Sequence, residues 1–276
     1  MKYSLEQVKE KIALIQGVIK PDHSEHGHFY VLASGKRVKS VTSKNVLRAD
    51  HLIPWAAGLA IDFLQVGDRW KELSGPNGEA YKKAAQLQYI NIRDDAGDVG
   101  NKGHDVIEDW INEWINSGVK PSDIKTFVPD NSNYRIYAIS RSAEAVFNKF
   151  EVIPIASELL VGSEKIETGG TLDMLVLNNK GEIELWDWKS SNQMQDFYVC
   201  QLAAYKFCFE EMTGLKIKKT KVFKLDKFSD RFKVYKPLHH KGELTPIGAF
   251  KLLSKLADWQ NNSKKKYAED KIIVKL

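Results

Sequence analysis

Three side chains in one short stretch could act together chemically. Two β-prone runs, Gly169-Gly170-Thr171-Leu172-Asp173-Met174-Leu175-Val176-Leu177 and Glu182-Ile183-Glu184-Leu185-Trp186-Asp187-Trp188-Lys189-Ser190-Ser191, flank the turn Asn178-Asn179-Lys180-Gly181. Side chains alternate along a strand, so Asp187 and Lys189 project from one face, and Trp186 and Trp188 from the other, toward a core. If Gly181 sits in a bulge that adds one residue to the loop, Leu177 faces Ile183, and counting back sets Asp173 opposite Asp187. Two carboxylates then converge beside an ammonium. They repel unless a proton or cation lies between them, and their hard oxygens suit Mg²⁺ or Mn²⁺. A lysine there could orient or deprotonate a metal-bound water, or offset charge as phosphorus becomes five-coordinate. The plainer reading of the same residues is a surface hairpin with a weak ion pair, worth under about 1 kcal/mol.

Downstream, Gln201-Leu202-Ala203-Ala204-Tyr205 lies in a predicted helix from about Gln193 to Met212, closed by Gly214. Residues four apart share a helical face, so Gln201 and Tyr205 can both point at the strand that carries Lys189. The series Gly-Gly-Thr-Leu-Asp, Asp-Trp-Lys-Ser-Ser and Gln-Leu-Ala-Ala-Tyr resembles the Gly-x-x-Asp, Asp/Glu-x-Lys and Gln-x-x-x-Tyr motifs of RecB-like nucleases in the PD-(D/E)xK superfamily.

That resemblance implies further residues. Glu158, in Ala156-Ser157-Glu158-Leu159-Leu160, is similar to the family's acidic first motif, with Glu151 and Glu164 as rivals. His104, after the Gly-rich lead Val99-Gly100-Asn101-Lys102-Gly103, resembles its metal-binding histidine on a helix. Arg37-Val38-Lys39-Ser40-Val41-Thr42, followed by a helix containing Trp55, is similar to the Ser-Val-Thr motif of the mitochondrial genome maintenance exonuclease and its phage relatives. The resemblance then covers roughly residues 28 to 260. It implies that Glu158, His104, Asp173, Asp187 and the Trp188 carbonyl surround one or two Mg²⁺ or Mn²⁺ ions. Lys189 would assist the nucleophile, Tyr205 would steady Lys189, and Gln201 would face the DNA or the strand ends. It also implies that the N-terminal half forms a passage for single-stranded DNA, with Lys36, Arg37, Lys39, Ser40, Thr42, Lys44 and Arg48 as candidate contacts.

The elements that must position these residues follow from periodicity. Apolar spacing predicts helices near residues 4–17, for about 15 residues from Asp50, and over 79–93, 103–116, 134–150 and 246–260. Strands are predicted at 29–32 and 37–42 around Gly35, then at 152–161, 171–177, 182–189, 216–225 and 231–235. Pro21 to His28 reads as a polar connection, and its His23, His26 and His28 do not offer zinc-ligand spacing with later residues. Glycines 97, 100 and 103 suit either turns or close backbone approach. The expected architecture is α/β: a mixed central sheet flanked by helices, with a restriction-endonuclease-like core over 98–276 and a mainly helical region with a small hairpin over 1–97.

Composition narrows the partners. Of the 276 residues, 43% are hydrophobic and 28% charged, which excludes a disordered chain. The net charge of +5 leans toward a polyanion without proving one. Lys216, Lys218, Lys219, Lys221 and Lys224 crowd one strand, and Lys264, Lys265 and Lys266 mark a basic tail. Such runs are usually solvated, and Lys-rich strand edges also block aggregation. The two cysteines, Cys200 and Cys208, read as packing residues and cannot supply the thiolates of an iron–sulfur cluster. No membrane-spanning or export segment is legible, so a cytoplasmic protein is expected. The expected activity is a Mg/Mn-dependent deoxyribonuclease, an exonuclease on single-stranded or unwound ends, with replication or recombination proteins as possible partners. The alternative is a catalytically silent DNA-binding or recombination-scaffold module of the same fold.

Overall fold

The computed structural model describes residues 2–24, 27–44, 52–191, 194–195, 197–236 and 245–269; for Ser24, Leu52 and residues 260–269 the backbone alone is described. The chain is α/β, with two sheets. A small antiparallel sheet contains β1 (Lys20–Ser24), β2 (Gly27–Val31) and β3 (Arg37–Lys39), in that order. The main sheet has the order β4 (Val152–Ser163), β5 (Thr168–Asn178), β6 (Ile183–Lys189), β7 (Ile217–Leu225) and β8 (Phe232–Tyr235). It is mixed because β6 and β7 run parallel while the other pairs are antiparallel.

Helices cover both faces of the main sheet. On one lie α1 (Leu5–Ile15), α5 (Phe197–Thr213) and the start of α6 (Pro246–Glu269), packed on Leu175, Leu177, Leu185 and Val222. On the other, α3 (Gly78–Ser117) and α4 (Tyr134–Lys149) cover Met174, Val176, Trp186, Trp188 and Phe223. The aromatic centre of this second layer is dense: Trp186 and Trp188 lie 4.7 Å and 5.2 Å from Phe223, centroid to centroid. Burying such side chains stabilises by about 1.5–3 kcal/mol each. Because residues alternate, anchoring both tryptophans on this face commits Asp187 and Lys189 to the α5 face. Among the described residues no helix is long and apolar enough to cross a membrane.

Several expectations change. The segments 79–93 and 103–116 belong to one helix, α3, which continues through the glycines and across the boundary drawn between 97 and 98. Gly100 serves close approach rather than a turn: a Cβ there would lie 2.9 Å from Ser190 Oγ, just beyond β6. The His-rich connection is a hairpin, with His23 paired to His28 and their rings 4.7 Å apart. The lysine-rich strand β7 is not an edge; it lies between β6 and β8. Lys221 and Lys219 on it meet Glu184 at 2.6 Å and 3.8 Å, and Lys216 meets Glu210 at 2.9 Å. His26, Arg48, His239 and His240 lie outside the described residues, as do the side chains of Lys264, Lys265 and Lys266. Cys200 and Cys208 are buried on α5.

Candidate functional site

The β5–β6 turn has the register expected from its sequence. Gly181 has φ +70°, its N–H donates to the Asn178 carbonyl, and Leu177 faces Ile183. Pairing continues to Met174 opposite Trp186, which brings Asp173 and Asp187 to the next position along both strands. Regular pairing ends there. Instead, the Trp188 N–H donates to Asp173 Oδ2 at 2.8 Å, so a side chain takes the place of a ladder partner.

The neighbouring strand is irregular at the same level. Ser157 pairs with Met174 and Leu159 with Leu172, but Glu158 has φ +45°. This left-handed conformation costs a non-glycine residue about 1–2 kcal/mol. Inward and outward alternation also slips here: Leu172 packs on the α5 face, although Met174, two residues on, packs on the α3 face. Ala156 and Leu159, three apart, share the α5 face. The two slips fall on either side of Asp173 and Glu158. A strained, splayed stretch of β4 and β5 therefore carries both carboxyl groups.

Asp187 and Lys189 share a face as expected, with Lys189 Nζ 2.6 Å from Asp187 Oδ2. Asp187 is 1% exposed, and neither of its oxygens has an aligned hydrogen-bond partner among the described residues. Burial pushes its carboxyl up to about 7; Lys189 opposes this and Asp173 adds to it. Burial also pushes Glu158 up, to about 8, with the charges of Asp173 and Glu108 reinforcing the shift. For Lys189 the balance is opposite: burial favours the neutral amine, but Asp187 and Asp173 outweigh it and hold the ammonium protonated. The site thus crowds acidic groups whose ionisation is held back until a cation or a higher pH offsets it.

Helices on both sides complete the site. On α3, His104 lies close to the Trp188 backbone; burial holds its pKa below the usual histidine range, although Asp173 pulls it upward. A neutral imidazole results, the form that can ligate a metal. On α5, Gln201 Nε2 donates to the Tyr205 hydroxyl at 3.3 Å. Burial, with Asp173 nearby, raises the phenol well above its ordinary value. Gly170 lets that ring approach: a Cβ there would lie 2.5 Å from Tyr205 Cε1.

Asp173, Asp187, Lys189, Glu158, His104, Trp188, Tyr205 and Gln201 are therefore gathered at one end of the main sheet. The two rivals of Glu158 are engaged elsewhere, Glu151 with Asn179 and Glu164 with the Ser34 N–H. Two residues were missed. Tyr198 presents its ring to Lys189 Nζ at 5.1 Å, a position expected of Tyr205, and Glu108 raises the Glu158 carboxyl. Helical spacing could have found them, since Tyr198 stands seven residues before Tyr205 and Glu108 four after His104.

The Ser40-Val41-Thr42 segment docks beside the site. Ser40 bridges Gly169, the Val41 N–H donates to the Gly169 carbonyl, and Tyr30 Oη lies 3.2 Å from Thr171 Oγ1. Its candidate DNA contacts are mostly occupied within the protein. Ser40 Oγ accepts from the Ser43 N–H and lies 3.0 Å from Thr42 Oγ1. Lys36 pairs with Glu167 at 2.7 Å, Arg37 pairs with Asp22, and the buried Lys44 donates to the Glu167 carbonyl at 2.8 Å. Lys39, half-buried, lies on β3. Gln201 is buried.

Among the described residues no three His, Cys, Asp or Glu side chains are already arranged to hold a metal ion. The Trp188 N–H donates to Asp173 Oδ2, and Lys189 pairs with Asp187 Oδ2. The donor set nevertheless fits a hard cation, and Asp187 has carboxylate oxygens left without aligned donors. Comparison with models of protein families and with curated protein sequences finds no match to this chain.

Proposed function

We propose that this protein is a Mg²⁺- or Mn²⁺-dependent DNA nuclease with a restriction-endonuclease-like core, acting as an exonuclease on single-stranded or unwound ends. The observation that carries the reading is the buried Asp187–Lys189 pair one position beyond the last β5–β6 pairing, with Asp173 directly alongside. An ordinary surface hairpin has no reason to bury an acid that is 1% exposed beside its ammonium partner.

Asp173 and Asp187 would hold the ion, with Glu158, His104 and the Trp188 carbonyl as the further ligands that the motif resemblance implies. A bound divalent ion supplies Lewis acidity, lowering the pKa of water and neutralising phosphate charge. The protein's own groups supply the rest. Lys189, protonated and close to Asp187, donates to a phosphate oxygen or orients the attacking water. Tyr198 limits where that ammonium can go, and the neutral His104 stands beside the Trp188 backbone. Tyr205 and Gln201 form a wall on the α5 side, against Gly170.

End-labelled single-stranded DNA incubated with protein and Mg²⁺ or Mn²⁺ tests this. Wild type should release label, while Asp187→Ala and Lys189→Ala should not; intact DNA with wild type would refute the nuclease. Circular single-stranded DNA should survive conditions that consume the linear form, and its rapid cutting would make the enzyme an endonuclease.

A further inference from the structure

Three lysines stand in register across three adjacent strands. Lys189 at the end of β6 is opposite Lys224 of β7, which is opposite Lys233 of β8. Registered neighbours share a face, and strands lie about 4.8 Å apart, so the row extends roughly 10 Å from the catalytic lysine candidate to the sheet edge. Like charges directly opposite one another destabilise a sheet. Lys189 pairs with Asp187 at 2.6 Å, and Lys224 faces Lys233 across the β7–β8 pair.

The turn beyond them adds Lys227 and Arg231, interspersed with Asp226 and Asp230. A cleft of about 410 Å³ opens beside Ser190, immediately after Lys189, and is lined by Lys224, Lys227, Phe228, Arg231 and Lys233. The carboxylate in it, Asp226, already accepts the Phe228 N–H at 2.8 Å. Burial lowers the pKa of Lys227; Arg135 adds to the shift, and Asp95, the ion-pair partner of Arg135, opposes it. Phe228 is 70% exposed at the tip, held in place by its carbonyl, which accepts from the Tyr134 hydroxyl at 3.3 Å. An exposed aromatic ring set among cations is the combination that binds single-stranded nucleic acid, with phosphates on the cations and a base on the ring.

We propose that the β7–β8 hairpin is a single-strand binding track, in which Lys224, Lys233, Lys227 and Arg231 hold phosphates and Phe228 stacks on a base, leading the strand to or from Lys189. The proposal rests on the nuclease reading only for what happens to the strand at Lys189; the track binds with or without turnover. It places strand contacts on the far side of the site from the Ser40-Val41-Thr42 segment.

Binding of fluorescein-labelled oligothymidine, followed by anisotropy in EDTA, separates the two readings because no cleavage occurs. Arg231→Glu/Lys233→Glu, both at exposed positions, should weaken binding at least tenfold. It should also flatten the dependence of log K on log salt by about 1.4, roughly 0.7 for each phosphate that is no longer neutralised. Phe228→Ala should weaken binding about fivefold or more, and should not weaken binding of an abasic oligomer of equal length. Unchanged melting temperatures would show that these variants fold. Wild-type affinity in both variants, or no binding by wild type, would overturn the track. Track-dependent binding without Mn²⁺-dependent cleavage would leave it standing and refute the nuclease alone.

Discussion

Asp173 Oδ2 accepts the Trp188 N–H at 2.8 Å, across two strands whose regular pairing stops at Met174 and Trp186. One carboxylate therefore has two tasks: it satisfies a backbone donor that the splayed ladder would leave unpaired, and it lies beside Asp187 and Lys189. Splaying opens room between strands for more than two side chains, and Asp173 keeps that opening from exposing an unsatisfied amide.

The two tasks separate by substitution. Asp173→Asn keeps an oxygen for the Trp188 N–H and removes the charge, so stability in urea should stay within about 1 kcal/mol of wild type. Asp173→Ala leaves the donor unpaired and should cost about 1–3 kcal/mol. Both should abolish Mn²⁺-dependent loss of end label.

Stability of the metal-free protein should fall as pH rises from about 4 to 8. Unfolded Asp and Glu titrate near 4. In the fold Asp187 is pushed up to about 7 and Glu158 to about 8. Between those limits the native state binds more protons than the unfolded chain, so the linkage slope is negative. Lys189 is protonated in both states across this range and adds no slope. Thermal denaturation from pH 5 to 8 should show the decline, and Glu158→Gln should flatten its upper part. Mg²⁺ competes with the same protons, so it should raise the melting temperature more at pH 8 than at pH 6.

Gly170→Ala should force the Tyr205 ring to move, since the added Cβ would lie 2.5 Å from Cε1. A cost of about 1–3 kcal/mol is expected. In a Tyr205→Ala background most of that cost should vanish, and a double-mutant cycle by chemical denaturation measures the coupling.

Much of this site is legible in the sequence because strand geometry is rigid. Period-two alternation places Asp187 with Lys189, and one glycine in the turn sets Asp173 against Asp187. The helix of Gln201 and Tyr205 follows from its own spacing. What does not follow is tertiary. The 40-residue α3 runs through Gly97, Gly100 and Gly103, and Ser190 and Ile139 pack where the Cβ atoms of the last two would stand, which no local propensity reports. The β1–β2 hairpin forms from a polar, His-rich segment with little alternation to mark it. The slip at Glu158 and Asp173 breaks the very period from which strands are read, and Tyr198 takes the place beside Lys189 that the spacing had offered to Tyr205.

The proposed chemistry requires a divalent cation between Asp173 and Asp187. Crystals soaked in Mn²⁺ and examined at the manganese absorption edge test it most directly. A bound ion should give an anomalous peak between those two carboxylates, with Lys189 Nζ drawn away from Asp187 Oδ2. An absence of any peak there at saturating Mn²⁺ and pH 8, with the Asp187–Lys189 pair still closed, would contradict it.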